Sequence, residues 1–116
     1  MSFLQLAGTG RVDEAYERFI APEFIHHNQH FPGDRESLKA AMAAAHRHSP
    51  NKAVEVRRIF EDGDFVITLS NVVGSGPVAS SVAVVHIFRF EGDRVVELWD
   101  LGQALDPDSP NRNGAF

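Results

Sequence analysis

The chain predicts an α+β domain, with helices at its start and a run of antiparallel strands after them. Three observations predict it. Apolar residues recur at helical spacing across residues 12–19 and again after Asp34. From Ala53 onward the segments are instead dominated by valine, isoleucine, phenylalanine and threonine, the residues that fit a pleated surface. Two turn signals, Glu61-Asp62-Gly63-Asp64 and Glu91-Gly92-Asp93, fold that second half into hairpins.

Residues 3–19 read as helical with a break at Gly8-Thr9-Gly10, after which Val12, Ala15, Tyr16 and Phe19 line one face. The first of these two helices is short. Ala21-Pro22 ends the second, because the residue before a proline avoids the α region. Glu23-Phe24-Ile25-His26-His27-Asn28 is a short extended run leading to a Gln-His-Phe-Pro-Gly loop. Asp34 caps a third helix through about His46, with Leu38, Ala41, Met42 and Ala45 as its apolar stripe, and Ser49-Pro50-Asn51 closes it. Strands follow over residues 53–60, 65–73, 80–90 and 94–102, with Gly74-Ser75-Gly76-Pro77 as the middle loop. Residues 106–116 form an irregular tail rich in Pro, Asn, Gly and Asp. With no repeat, low-complexity run or linker, 1–116 reads as a single domain.

Composition excludes several function classes. Net charge is −5 and the basic residues are scattered, which argues against nucleic acid or an anionic membrane as partner. Absence of cysteine excludes disulfides, thiolate catalysis and a Cys-based zinc site. No segment has the roughly 20 apolar residues that span a bilayer. The first residues lack the basic start and long apolar run of a signal peptide, so a cytoplasmic location is the expectation.

The last hairpin carries the chemistry. With Gly92-Asp93-Arg94 as the loop and Glu91 opposite Val95, Arg89 faces Glu97 and His86 faces Asp100. Alternation then puts His86 and Asp100 on one face with Val84, Phe88, Val96 and Leu98. Two ionisable groups on an apolar surface are costly to bury unless paired, and such surroundings shift pKa values toward catalytic use. The opposite face carries Val85, Ile87, Trp99 and Leu101, rimmed by Arg89 and Glu97. That pattern predicts a homodimer interface or a surface covered by the tail.

Asp100 is the candidate general base, a desolvated carboxylate with a raised pKa, and His86 its tuning partner. Whichever of His26 and His27 faces inward joins Asn28 as a pocket residue. Tyr16 and Phe19 lie on an apolar helix face that predicts core packing, with a Tyr16 hydroxyl projecting into the cavity as the alternative. No metal is expected. His26 and His27 are adjacent on an extended run and point to opposite faces, while His46 and His48 end a helix, where histidine suits the dipole.

The order of elements and five motifs resemble the SnoaL-like polyketide-cyclase group of the nuclear-transport-factor-2-like superfamily. The motifs are Ala21-Pro22-Glu23-Phe24-Ile25-His26-His27-Asn28, Asp34-Arg35-Glu36, Glu61-Asp62-Gly63-Asp64, Val85-His86-Ile87-Phe88-Arg89 with Gly92-Asp93-Arg94-Val95-Val96-Glu97, and Trp99-Asp100 with Gln103. The resemblance implies a cone-shaped barrel with one pocket. It also implies an aspartate on the last strand as acid/base for an intramolecular aldol closure without metal or cofactor, matched here by Asp100. A polar residue on the preceding strand matches His86, and the His-Asn pair falls on His27 and Asn28. The chain departs from the pattern at Gln29, where proline is usual, and at Leu98, where histidine is frequent. A cofactor-independent enzyme acting next to a carbonyl is therefore expected, on an apolar carbonyl-bearing small molecule touching His27, Asn28, His26, Tyr16, Phe88 and Leu98. The alternative is a non-catalytic ligand-binding or dimerisation module.

Overall fold

Among the described residues two full helices, α1 (Val12–Phe19) and α2 (Arg35–His48), pack on a five-stranded sheet. Phe3 belongs to the first predicted helix, whose other residues lie outside the described ones. The strands of the sheet are β1 (Ile20–His26), β2 (Ala53–Asp62), β3 (Phe65–Val73), β4 (Ser81–Glu91) and β5 (Arg94–Ala104), in the order β1-β5-β4-β3-β2. The computed structural model describes residues 3, 11–48, 53–73 and 81–116. The Gly8-Thr9-Gly10 break, the Ser49-Pro50-Asn51 stop and the Gly74–Pro77 loop lie outside them. β2, β3, β4 and β5 form antiparallel hairpins, and β1 joins β5 in parallel, so the sheet is mainly antiparallel. It curls around the core without closing, leaving β1 and β2 as its edges. Among the described residues no helix is long and apolar enough to cross a membrane.

Helix α1 buries Val12, Ala15 and Tyr16 and ends two residues earlier than Ala21-Pro22 predicts. Its last carbonyls find partners that sequence spacing does not reveal. Ile20 N–H and Arg35 Nη2 (3.2 Å) both donate to Tyr16 O, and Arg94 Nη1 donates to Glu17 O at 2.7 Å. Pro22 thus falls inside β1. An edge strand tolerates it because the ladder to β5 is irregular between Ile20 and Ile25, where a missing N–H is affordable. Asp34 caps α2 as expected: its carboxylate accepts from Ser37 N–H (3.0 Å) and Ser37 Oγ (2.6 Å), which holds its pKa below the ordinary carboxylate value. The helix runs on to His48, and Ala45 is exposed rather than part of the buried stripe.

Phe3, Tyr16, Phe24 and Phe88 interlock edge to face beneath the helices, with Phe3–Tyr16 centroids 5.7 Å apart and Phe3–Phe88 6.1 Å. Ile20, Leu38, Val95 and Leu98 complete this core. In the tail, Leu105 N–H donates to Ser81 O at 2.9 Å, and the Arg57 guanidinium of β2 sits 5.1 Å from the Phe116 ring centre.

Candidate functional site

The β4–β5 hairpin closes more tightly than the sequence predicts. Glu91 pairs with Arg94 across a two-residue Gly92-Asp93 turn, and Gly92 supplies the positive φ of 62° that a side chain would strain. The extra residue moves into the strand instead. Phe90 faces Val95 and Arg89 faces Glu97, so Val96 is a bulge, and both Val95 and Val96 turn into the core. Loop and bulge compensate, so the expected partners Arg89–Glu97 and His86–Asp100 are in register.

His86 therefore stands on the concave face beside Asp100, opposite Thr68 of β3, with its ring stacked on Phe88 at 5.7 Å. Its Nδ1 is shut off from solvent and has no hydrogen-bond partner among the described residues. Burial drives its pKa from 6.5 down to about 4, with the Asp100 charge opposing this weakly. At neutral pH the ring is an uncharged imidazole, a hydrogen-bonding group rather than a cation.

Asp100 is held from the other side of the site. Asn28 Nδ2 donates to Oδ1 at 3.0 Å and lies 3.3 Å from Oδ2. The Asn28 amide orientation is determined by its own turn, since Oδ1 accepts the His30 N–H at 2.9 Å and leaves only Nδ2 to face the carboxylate. Beside these residues lies a cavity of about 540 Å³. Val82 and Val84 of β4 and Gly102 and Ala104 of β5 form its apolar wall, and the run His27-Asn28-Gln29-His30 with Asp100 supplies its polar side. His30 and Gly102 are site residues that sequence reasoning missed. Gly102 had a signal, a glycine inside a strand pattern. A Cβ there would meet Val82 Cγ1 at 3.3 Å, so the glycine keeps this wall open.

The other predicted residues take different places. Tyr16 is fully buried, and its hydroxyl donates to Met42 Sδ at 3.1 Å rather than projecting into the cavity. Burial pushes its pKa well up, with Arg35 opposing and Asp100 and Glu36 adding to the rise, so the phenol stays protonated. Phe88 and Leu98 are closed to solvent and form the base beneath His86. Of the adjacent histidines, His26 is the inward one. His27 borders the cavity but turns its ring to the convex face, stacked on Trp99 with centroids 4.7 Å apart and planes within 9°. Its Nε2 donates to Glu97 Oε2 at 2.6 Å, while Arg89 Nε donates to Glu97 Oε1 at 2.9 Å. These two donors, His27 first, hold the Glu97 carboxyl below its ordinary range. Trp99 also touches Phe65 at 6.3 Å, and Leu101 is 68% exposed. Among the described residues no three histidine or carboxylate side chains converge as a metal site.

A family model for the SnoaL-like domain matches residues 2–98. The chain belongs to the SnoaL-like domain family. The match stops two residues short of Asp100, so that aspartate rests on the hairpin register above. Solved structures carry the same fold. IdmH, a candidate polyketide cyclase from Streptomyces antibioticus, superposes with a TM-score of 0.75 at 20% identity over 87% of each chain. AclR, a candidate hydroxylase from Streptomyces galilaeus, gives 0.77 at 17% identity over 87% of this chain and 83% of its own. A ketosteroid-isomerase-like protein from Catenulispora acidiphila, solved with trimethylamine, gives 0.70 at 20% identity over 86% and 82%. At such identities the likeness is one of fold. No curated protein matches the SnoaL-like chain.

Proposed function

We propose that this SnoaL-like chain, a single domain over 1–116 with 106–116 as its tail, is a cofactor-independent enzyme that moves a proton next to a carbonyl. Cyclisation of the aldol type, isomerisation and dehydration all use that step. The carrying observation is the Asp100 carboxylate, oriented by Asn28 at the wall of the cavity with an uncharged imidazole beside it. Asp100 takes the α-proton and returns it. His86 hydrogen-bonds the substrate oxygen or the carboxylic acid formed when Asp100 is protonated. The valine and alanine wall receives an apolar carbonyl-bearing substrate. Replacing Asp100 with Asn keeps the size and removes the base. Turnover of β-keto or hydroxy-ketone substrates by Asp100→Asn is expected to fall at least about 100-fold, the usual worth of a positioned base. Undiminished turnover removes Asp100 from the mechanism.

A second reading, a non-catalytic ligand-binding or dimerisation module, is favoured by the convex face. Phe65, Ile87, Trp99 and Leu101 form an apolar strip along it, suited to a homodimer of a cytoplasmic protein. Sedimentation of Leu101→Asp against the parent decides the dimer. Ligand retention with undetectable turnover in the parent chain would favour the module.

A further inference from the structure

We propose that His26 is a positioning residue that acts through Asn28 on Asp100, as an imidazole latch across the loop between β1 and α2. The inference rests on the reading of Asp100 as the working carboxylate, but its test does not depend on turnover.

The geometry is explicit. His26 closes β1 and is 5% exposed, with its ring stacked on Phe24 at 6.3 Å. Both ring nitrogens are occupied. Nδ1 accepts the backbone N–H of Asn28 at 3.1 Å, so the proton resides on Nε2, which donates to Pro32 O at 2.7 Å. One neutral ring thus ties the first residues of the loop to its last ones. The backbone completes the closure: His26 N–H donates to Gly33 O at 3.2 Å, and Ile25 bridges Asp34. Gly33 suits that closure, because a Cβ would stand 3.3 Å from His26 O, tighter than an ordinary contact.

The loop held in this way presents Asn28. His27 N–H donates to Leu98 O at 2.9 Å, docking the start of the loop on β5 two residues before Asp100. The Asn28 amide, oriented by His30 N–H, then points Nδ2 at the carboxylate. Without the imidazole, the Asn28 N–H and the Pro32 carbonyl lose their partner, the turn loosens, and the amide that orients Asp100 is free to rotate. Ordinary packing explains the burial of His26. It does not explain why each ring nitrogen meets one end of the same loop.

The test uses nuclear magnetic resonance on the full chain. In the parent protein, long-range ¹H–¹⁵N spectra are expected to show His26 as the neutral Nε2–H tautomer at neutral pH. The bonded Asn28 side-chain amide proton is expected to lie downfield of its ordinary position, an extra splitting of the amide pair imposed by Asp100 that should vanish in Asp100→Ala. His26→Leu fills the same space without either bond. It should abolish the splitting and speed backbone exchange at Asn28 about tenfold, with exchange at Val95 and Phe88 unchanged. His26→Asn, which keeps an acceptor for the Asn28 N–H, should restore the splitting. A charged or Nδ1–H ring overturns the proposal even where His26→Leu does not fold, as does a splitting that survives His26→Leu. Loss of turnover in Asp100→Asn with this signature intact in the parent, or the reverse, tells failure of the latch from failure of the catalytic reading.

Discussion

The two faces of the β4–β5 hairpin hold the same kinds of side chain and treat them in opposite ways. On the concave face a histidine and an aspartate are paired in register, yet the imidazole is half-buried, with Nδ1 shut off from solvent and without a partner among the described residues. On the convex face another histidine meets a carboxylate at 2.6 Å, with an arginine completing the set. Fully partnered charges stabilise the fold in its present state. An underpartnered imidazole beside an oriented carboxylate is instead the feature on which the proposed site rests. Sequence alternation separates the two faces, and burial sets how differently they treat the same pair of side chains.

Four measurements break or sharpen that contrast. The largest effect is expected on the concave side: Phe88→Ala removes a fully buried ring under His86 and should cost about 3–5 kcal/mol in urea denaturation. Next comes the pH dependence of His86. Its folded pKa of about 4 lies below the free value of 6.5, so the unfolded chain binds the extra proton between those values. Stability is fully present above pH 6.5 and is lost as pH falls toward 4, by about 3 kcal/mol for the 2.5-unit shift. Denaturation midpoints of His86→Phe should lack that slope, and an unchanged slope would refute burial as the cause.

On the convex side the effects are smaller. Glu97→Gln breaks an ion-paired carboxylate whose pKa is depressed, so its stabilisation exists above the ordinary carboxylate range and fades as pH falls below it. Melting curves of this variant should converge with those of the parent in acid, the reverse of a burial effect. Least of all, Leu101→Ser is expected to change monomer stability by less than about 0.5 kcal/mol, because that side chain is already 68% exposed. A large loss at high protein concentration alone would instead report an interface.

The fold class and the His86–Asp100 pairing were legible because side-chain alternation in a hairpin is a strict rule. Their route was not: loop length and bulge trade one residue, and only the sum shows in a pattern of apolar residues. The Asp34 cap was legible from residue type alone. Which of His26 and His27 turns inward was not, because it depends on the irregular β1–β5 ladder and on a loop whose bonds run from ring nitrogens to main chain. The core position of Tyr16 was legible from helical spacing, but the partner of its hydroxyl was not. A phenol near a pocket can satisfy itself on a methionine sulfur twenty-six positions away, and no local spacing encodes that contact.

The parallel β1–β5 ladder has a consequence for how the protein comes into being. The three hairpins join neighbours along the chain, whereas Asn28 reaches Asp100 across 72 positions. Closing so long a loop is the costliest ordering event in the topology, so a nascent chain leaving the ribosome cannot assemble the carboxylate's cradle until its final strand has emerged.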